Sequence, residues 1–323
     1  MPAHPTAPPT DPARRLWARG LIGVTVLQAL PRAPSQAAQT AGREIRVITG
    51  PDSPSARQML QALKQRWPAL MADANPAAWE ARKGPAIHIA LGTAALQKAL
   101  GADLKGPVLS VMGASQVYRQ LVQPAWGDEA RARDKGAVTA LYADTSPSSQ
   151  LLLAQALLGN RMRIGVLLSE ASAHLEKSLL QAAGPLGIAL EIEHVPAPST
   201  DAARALTRLR DVQALLAVAD SNLYTPETLR TILESTYRRS MPVIGFSAAT
   251  VAAGTLASTY SSIDDMAAEV ADMVDELMAG NVPEARHPRR WRVAINDNVA
   301  RSLGIQIEDR ARQLSPSAAG RSA

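Results

Sequence analysis

Short apolar segments alternate with amphipathic segments along the chain from residue 43 to about residue 307. Apolar runs of strand length, such as Glu44–Thr49, Ala86–Leu91 and Arg163–Leu168, each end in glycine or small polar residues. The stretches between them carry apolar residues at helical spacing. This alternation predicts an α/β fold in which parallel sheets are covered by helices on both faces.

The clearest single unit is a strand–helix–strand crossover between residues 215 and 247. An apolar strand ends at Asp220, and a second strand, Pro242 to Phe246, ends at Ser247. Thr225 and Pro226 suit the N-cap and first position of the helix between them. Its predicted sheet-facing stripe consists of Leu229, Ile232, Leu233 and Tyr237. Ligands bind at the carboxyl ends of strands in open parallel sheets, so Asp220 is a candidate contact; the alternative is that it caps a loop.

The length of 323 residues exceeds the usual size of one domain. Two α/β series, with a late return of the chain to the first, predict two doubly wound parallel-sheet lobes with an interlobe cleft. We assign residues 43–140 and about 249–284 to lobe I, and residues 141–248 and about 285–307 to lobe II. Residues 308–323 show no periodicity and are predicted to be a disordered tail.

The N-terminal segment has the organisation of an export signal. Arg14, Arg15 and Arg19 precede the apolar run Gly20–Leu30, and small residues follow around Ala37. Residues 1–38 are therefore predicted to be a signal peptide cleaved after position 37 or 38, which implies a periplasmic location. The run is too short to span a bilayer. The alternative is a Pro/Ala-rich leader with a chance apolar patch.

The charge, the composition and the absence of common motifs argue against several classes of function. The net charge is +5, and removal of residues 1–38 leaves about +2, too little to indicate nucleic-acid binding or direct membrane insertion. The chain has no cysteine and lacks the GxGxxG, GxxxxGK[ST], HExxH and GxSxG motifs. The sequence thus predicts a binding protein rather than an enzyme, with no catalytic residues, no cofactor and no metal site.

Several segments resemble the ABC-transporter substrate-binding proteins of the type I periplasmic-binding fold, in the branch that includes tryptophan- and tyrosine-binding members. The matching stretches are Ile89–Ala95, Arg163–Leu168, Ala219–Asn222, Met241–Ser247, Val251–Ala257 and Val293–Ala300. The resemblance implies an exported protein that closes two lobes around a small molecule, such as an amino acid or a similar polar or aromatic metabolite. It also implies an ABC permease as partner.

In such folds the ligand contacts come from loops at the carboxyl ends of strands. The corresponding positions of lobe I are Asp52, Ser53, Thr93, Ala94, Ala114 and Ser115. Those of lobe II are Ser169, Glu170, Asp220, Asn222 and Ser247. Tyr224 and Tyr260 are the nearest aromatic residues that could stack on a ring, and Tyr260 is the one included in the predicted site.

Two further interpretations share the fold. The protein could be a periplasmic ligand-sensing subunit that presents its closed form to a membrane receptor or histidine kinase, and no sequence feature separates this from transport. An intracellular effector-binding regulator is disfavoured because no helix-turn-helix segment precedes residue 44.

Overall fold

Two separate sheets, each covered by helices, form the fold of the chain. The computed structural model describes residues 43–77, 84, 86–196 and 202–316. The predicted signal peptide, residues 1–38, lies outside the described residues. The predicted α/β class with two parallel-sheet lobes is confirmed. No helix in the described part of the chain has both the length and the apolar character needed to cross a bilayer.

The first sheet has five strands, all parallel, in the order β2-β1-β3-β4-β5. Its strands are β1 Glu44–Thr49, β2 Met71–Asp73, β3 Ala86–Leu91, β4 Val108–Val111 and β5 Val138–Leu141. The helices that follow them in sequence are α1 Pro54–Arg66, α2 Thr93–Leu100, α3 Ser115–Trp126 and α4 Glu129–Gly136. Strand β3 is buried along its whole length, which explains why every residue in it except His88 is apolar.

The second sheet has six strands in the order β11-β10-β9-β8-β6-β7, and only the edge pair β10–β11 is antiparallel. The strands are β6 Arg163–Leu168, β7 Ala189–His194, β8 Ala214–Leu216, β9 Val243–Ile244, β10 Ala257–Tyr260 and β11 Arg292–Ile295. The helices of this lobe are α5 Pro147–Leu158, α6 Glu176–Ala183, α7 Ala202–Ala205, α8 Pro226–Arg238, α9 Ala248–Ala253, α11 Asp297–Ser302 and α12 Asp309–Arg312.

One predicted lobe boundary is wrong. Residues from about 249 were assigned to lobe I, but α9 and β10 belong to lobe II, where Ala257 pairs with Ile244 and Ile295. The chain returns to lobe I only with α10, Ile263–Met278, which packs Met266, Val270 and Met273 into the apolar core around β1 and β3. Among the described residues the chain therefore crosses between lobes after β5, after β10 and before β11.

The C-terminal segment is ordered as far as residue 316, contrary to the predicted disorder of residues 308–323. Helix α12 buries Ala311 completely, and Leu314 packs beside it against the core of lobe II. Arg312 forms an ion pair with Asp297 of α11 at 2.5 Å. Ala311 lies in a helix of only four residues and Leu314 follows its end, a signal too short to register as periodicity. Residues 317–323 lie outside the described part.

The crossover helix α8 begins as predicted but presents a slightly different face. Thr225 caps it and forms a capping box with Thr228, and Leu229 and Ile232 are buried. Tyr237, predicted to face the sheet, is 57% exposed, and the buried residue is Thr236. At 100° per residue, position i+8 lies about 80° away from Leu229, whereas i+7 lies about 20° away, which explains the difference.

Candidate functional site

A cavity of about 400 Å³ lies between the two lobes. Lobe I contributes the outward face of α3 and the start of α4, with Arg119, Gln123, Asp128 and Glu129. Lobe II contributes the loop after β6 and the loop after β8, with Ser169, Glu170, His174 and Asn222. Both lobes thus supply polar side chains to one shared space, as a site that forms by lobe closure requires.

The wall from lobe II is organised by a buried carboxylate. Asp220 is 1% exposed and accepts hydrogen bonds from Ser169 Oγ at 2.6 Å, Ser172 Oγ at 2.5 Å and the Asn222 backbone N–H at 2.8 Å. These bonds fix Ser169 and Asn222, which line the cavity. Asp220, predicted as a ligand contact, is not among the residues that line the cavity: its oxygens accept hydrogen bonds inside the loop, where it positions residues that face the cavity.

The wall from lobe I contains a three-residue polar chain. Arg119 Nη1 lies 3.2 Å from Glu129 Oε2, and the Tyr142 hydroxyl donates to Glu129 Oε1 at 2.7 Å. Burial, and then the Glu129 charge, raise the pKa of Tyr142 far above its usual range, so the phenol stays protonated and remains a donor. Asp128 caps α4 through the Arg131 backbone N–H at 2.8 Å. The positive charge of Arg119 is thus balanced within its own lobe.

His174 enters the cavity from the short turn before α6 as a neutral ring. Its Nδ1 lies 3.0 Å from the Ala171 carbonyl oxygen, which can only accept, so Nδ1 carries the proton and Nε2 is an acceptor. Burial lowers the pKa of His174, and the Arg119 charge lowers it further. The ring therefore offers a hydrogen-bond acceptor rather than a positive charge.

Beside the cavity a direct hydrogen bond joins the two lobes. The Ser221 backbone N–H donates to Gln116 Oε1 at 3.2 Å, and Gln116 is only 1% exposed. Its amide nitrogen has no hydrogen-bond partner among the described residues. Gln116 lies one helical turn before Arg119 on α3, so this contact adjoins the cavity.

The first and third crossover segments are tied to lobe I by Asp144. Its carboxylate accepts from the Ser115 N–H and from Ser115 Oγ, both at 2.7 Å. His287, in the third crossover segment, donates from Nδ1 to the Asp144 carbonyl oxygen at 2.9 Å. Ser115, predicted as a ligand contact, is 2% exposed, donates both bonds to Asp144 and is not among the residues that line the cavity.

The twelve predicted site residues fall into separate groups. Ser169, Glu170 and Asn222 line the cavity. Three others lie at the N-terminal ends of helices. The side chains of Ser53 and Ser247 cap α1 and α9, and Ala114 is the N-cap residue of α3.

The remaining predicted positions are not among the residues that line the cavity. Asp52 is exposed and forms an ion pair with Arg57 on α1. Thr93 and Ala94 occupy the first turn of α2 and are half-buried, as is Tyr260 at the end of β10. Tyr224, the other aromatic candidate, is buried in lobe II against the ring of Phe246, with centroids 5.8 Å apart.

Sequence reasoning missed the lobe I wall and His174. Arg119 and Glu129 lie on helices, whereas the ligand contacts were predicted at strand ends. The five histidines are scattered along the chain, and no local pattern marks His174 as a site residue. An arginine on the exposed face of α3 and a carboxylate opening α4 were visible signals, but only packing brings them together. The described residues contain no cluster of three side chains suited to hold a metal ion.

Several solved structures share this architecture. One from Streptococcus pneumoniae in complex with L-Trp is 20% identical, with a TM-score of 0.53, and the match covers 83% of this chain and 97% of that one. A ligand-free, open substrate-binding protein with adhesive properties from Clostridium difficile is 15% identical, with a TM-score of 0.58 and coverages of 84% and 97%. A conserved domain protein from Vibrio cholerae is 20% identical, with a TM-score of 0.55 and the same coverages.

At these identities the likeness establishes the fold. No curated protein matches the chain in sequence. The family model described as ABC transporter substrate binding protein matches residues 79–318, more than half of the chain. The two sheet-bearing lobes, the polar cavity between them and this match together show that the chain belongs to the ABC transporter substrate-binding protein family.

Proposed function

We propose that the protein is an exported solute-binding protein that captures a small molecule between its lobes and delivers it, chemically unchanged, to an ABC importer. The observation that carries the proposal is the interlobe cavity, lined by Arg119 and Glu129 from one lobe and by Glu170 and His174 from the other. A solute held there contacts both lobes, so its binding free energy stabilises the closed form over the open form.

The connections between the lobes suit a hinge. Each crossover segment lies between regular elements, where a few backbone torsions can absorb a rotation of one lobe against the other. Opening breaks the hydrogen bond from Ser221 to Gln116, whereas the bonds of Asp144 to Ser115 and His287 stay within lobe I and its crossovers. A bound solute therefore acts together with this direct contact to hold the lobes closed.

Export and transfer to a permease belong to the same proposal. The basic residues and apolar run within residues 1–38 support secretion to the periplasm, where an importer collects its solute. The mature protein is expected to begin at Ala38 or Gln39. Edman sequencing of the protein recovered from a periplasmic extract tests this, and a protein that retains Met1 there would contradict it.

Capture is tested by native mass spectrometry of protein purified without refolding. We expect an adduct of metabolite mass that is lost on denaturation. Asn222→Trp, which fills the cavity from an exposed lining position, is expected to lose the adduct. Arg230→Trp is the control, because Arg230 is an exposed residue of α8 and does not line the cavity. Equal retention by both variants, or no adduct in the wild type together with no ligand-induced stabilisation, would contradict capture in this cavity.

A further inference from the structure

The charges that line the interlobe cavity are unevenly paired. On the lobe I side, Arg119 is balanced by Glu129, and Asp128 is engaged with the backbone at the start of α4. On the lobe II side, Glu170 is exposed to the cavity and has no ion pair or hydrogen bond among the described residues. Glu170 is therefore the carboxylate of this wall that has no counter-ion among the described residues.

No neighbouring base can become that counter-ion near neutral pH. His174, four residues further along the same wall, is held neutral by its burial and by the Arg119 charge. Its Nε2 is an acceptor, like the oxygens of Glu170 and of the Asn222 side chain. The wall of lobe II thus presents mainly hydrogen-bond acceptors, and these require a ligand that donates.

The cavity also lacks the surface that an aromatic ligand needs. The lining residues include no Trp, Tyr or Phe, and Val122 and Ala171 are its principal apolar members. Tyr224 is packed in the core of lobe II, and the ring of Tyr142 lies between Tyr118 and His287, with centroid distances of 5.7 and 5.0 Å. An indole or phenol ring would find neither a stacking partner nor an apolar slot here.

We propose that the cavity binds a small organic cation, carrying an ammonium or guanidinium group, with Glu170 as the charge partner of that group. His174 Nε2 and the Asn222 side chain accept the remaining N–H donors. This assignment rests on the proposed function, because it names the class of solute that the same cavity takes. It also separates this chain from the L-Trp-bound protein that shares its fold.

The substrate class is tested by thermal shift with two sets of probes. The cationic probes are putrescine, agmatine, L-lysine and L-arginine; the comparison probes are L-tryptophan, L-tyrosine and D-ribose. We expect at least one cation to raise the melting temperature, since a ligand that binds only the folded state stabilises it by RT ln(1 + [L]/Kd). The proposal is overturned if none of the four cations does so, or if only comparison probes do.

The role of Glu170 is tested by calorimetric titration of the best cation. Glu170→Gln keeps the size and polarity of the side chain but removes its charge, and should weaken binding about tenfold or more, the effect of losing a charge-assisted hydrogen bond. Glu234→Gln is the matched control on the exposed surface of α8 and should leave Kd within about twofold. Wild-type affinity should fall as sodium chloride is raised, because salt screens the attraction.

The outcomes separate this inference from the proposed function. Equal affinity of Glu170→Gln and the wild type would refute Glu170 as charge partner. Binding of L-tryptophan or D-ribose that is abolished by Asn222→Trp would leave the cavity as a capture site and overturn only its assignment to cations. A metabolite adduct that both Asn222→Trp and Glu170→Gln retain in native mass spectrometry would contradict the proposed function itself.

Discussion

Replacement of Asp220 by alanine distinguishes a loop-positioning residue from a direct ligand contact. The carboxylate is 1% exposed and accepts from Ser169, Ser172 and Asn222. The Ser169 backbone N–H lies 3.3 Å from the same carboxylate and adds a weaker contact. Asp220→Ala removes this acceptor from a buried loop, so we expect the ligand-free protein to lose stability.

The size of the loss follows from the hydrogen bonds. Each bond to a charged group contributes about 1.5–3 kcal/mol net. The hydroxyls of Ser169 and Ser172 can turn toward other acceptors, but the Asn222 N–H cannot. We therefore expect a decrease of about 3–4 kcal/mol in the free energy of unfolding. At about 2–4 °C per kcal/mol, the melting temperature should fall by roughly 6–16 °C.

Circular dichroism melting of the ligand-free protein measures this effect. Asp52→Ala is the matched control, because Asp52 is 72% exposed and pairs only with the exposed Arg57. Its melting temperature should stay within about 1 °C of the wild type. If Asp220→Ala melts like the wild type but no longer binds the ligand, then Asp220 contacts the ligand directly and the positioning role assigned from the hydrogen bonds is wrong.

Three further predictions concern packing and pH. Gly245→Ala should destabilise lobe II by about 1–3 kcal/mol in urea unfolding, because a Cβ there would overlap Thr250 Oγ1 and lie 2.7 Å from Thr255 Oγ1; an unchanged midpoint would contradict this. Burial lowers the pKa of His88 and His174 below 6.5, so the unfolded chain takes up protons first, and the free energy of unfolding should fall as pH drops below that value. A free energy of unfolding that increases as the pH is lowered from about 7 to about 5 would count against this prediction. Ala311→Asp places a charge in the core of lobe II and should lower the melting temperature by several degrees, whereas no change would mean that α12 does not dock there.

The elements of the fold were largely predictable because they depend on local patterns. Continuous apolar runs such as Ala86–Leu91 become strands buried on both faces, and Thr225 with Pro226 begins α8 where the capping chemistry requires. Errors arose where the signal was short or ambiguous. Tyr237 differs from Thr236 by a single step around the helix, and α12 spans only Asp309–Arg312.

Membership of a lobe was less predictable than secondary structure. Strand β10, Ala257–Tyr260, lies in the second sheet because its backbone pairs with Ile244 and Ile295. The local sequence pattern of an apolar strand followed by an amphipathic helix is the same whichever sheet the strand joins. Pairing between residues distant in sequence, not local composition, assigns the strand to its lobe.

The sequence by itself determined the α/β class, the presence of two series of strands and helices, and the small polar residues at strand ends, because periodicity and capping act over a few residues. Tertiary structure alone decided which of those polar residues line the interlobe cavity. It turned Asp220 and Ser115 inward to satisfy neighbouring donors and left Glu170 open to the cavity. Whether a carboxylate is occupied or free depends on partners that the fold brings together from distant parts of the chain.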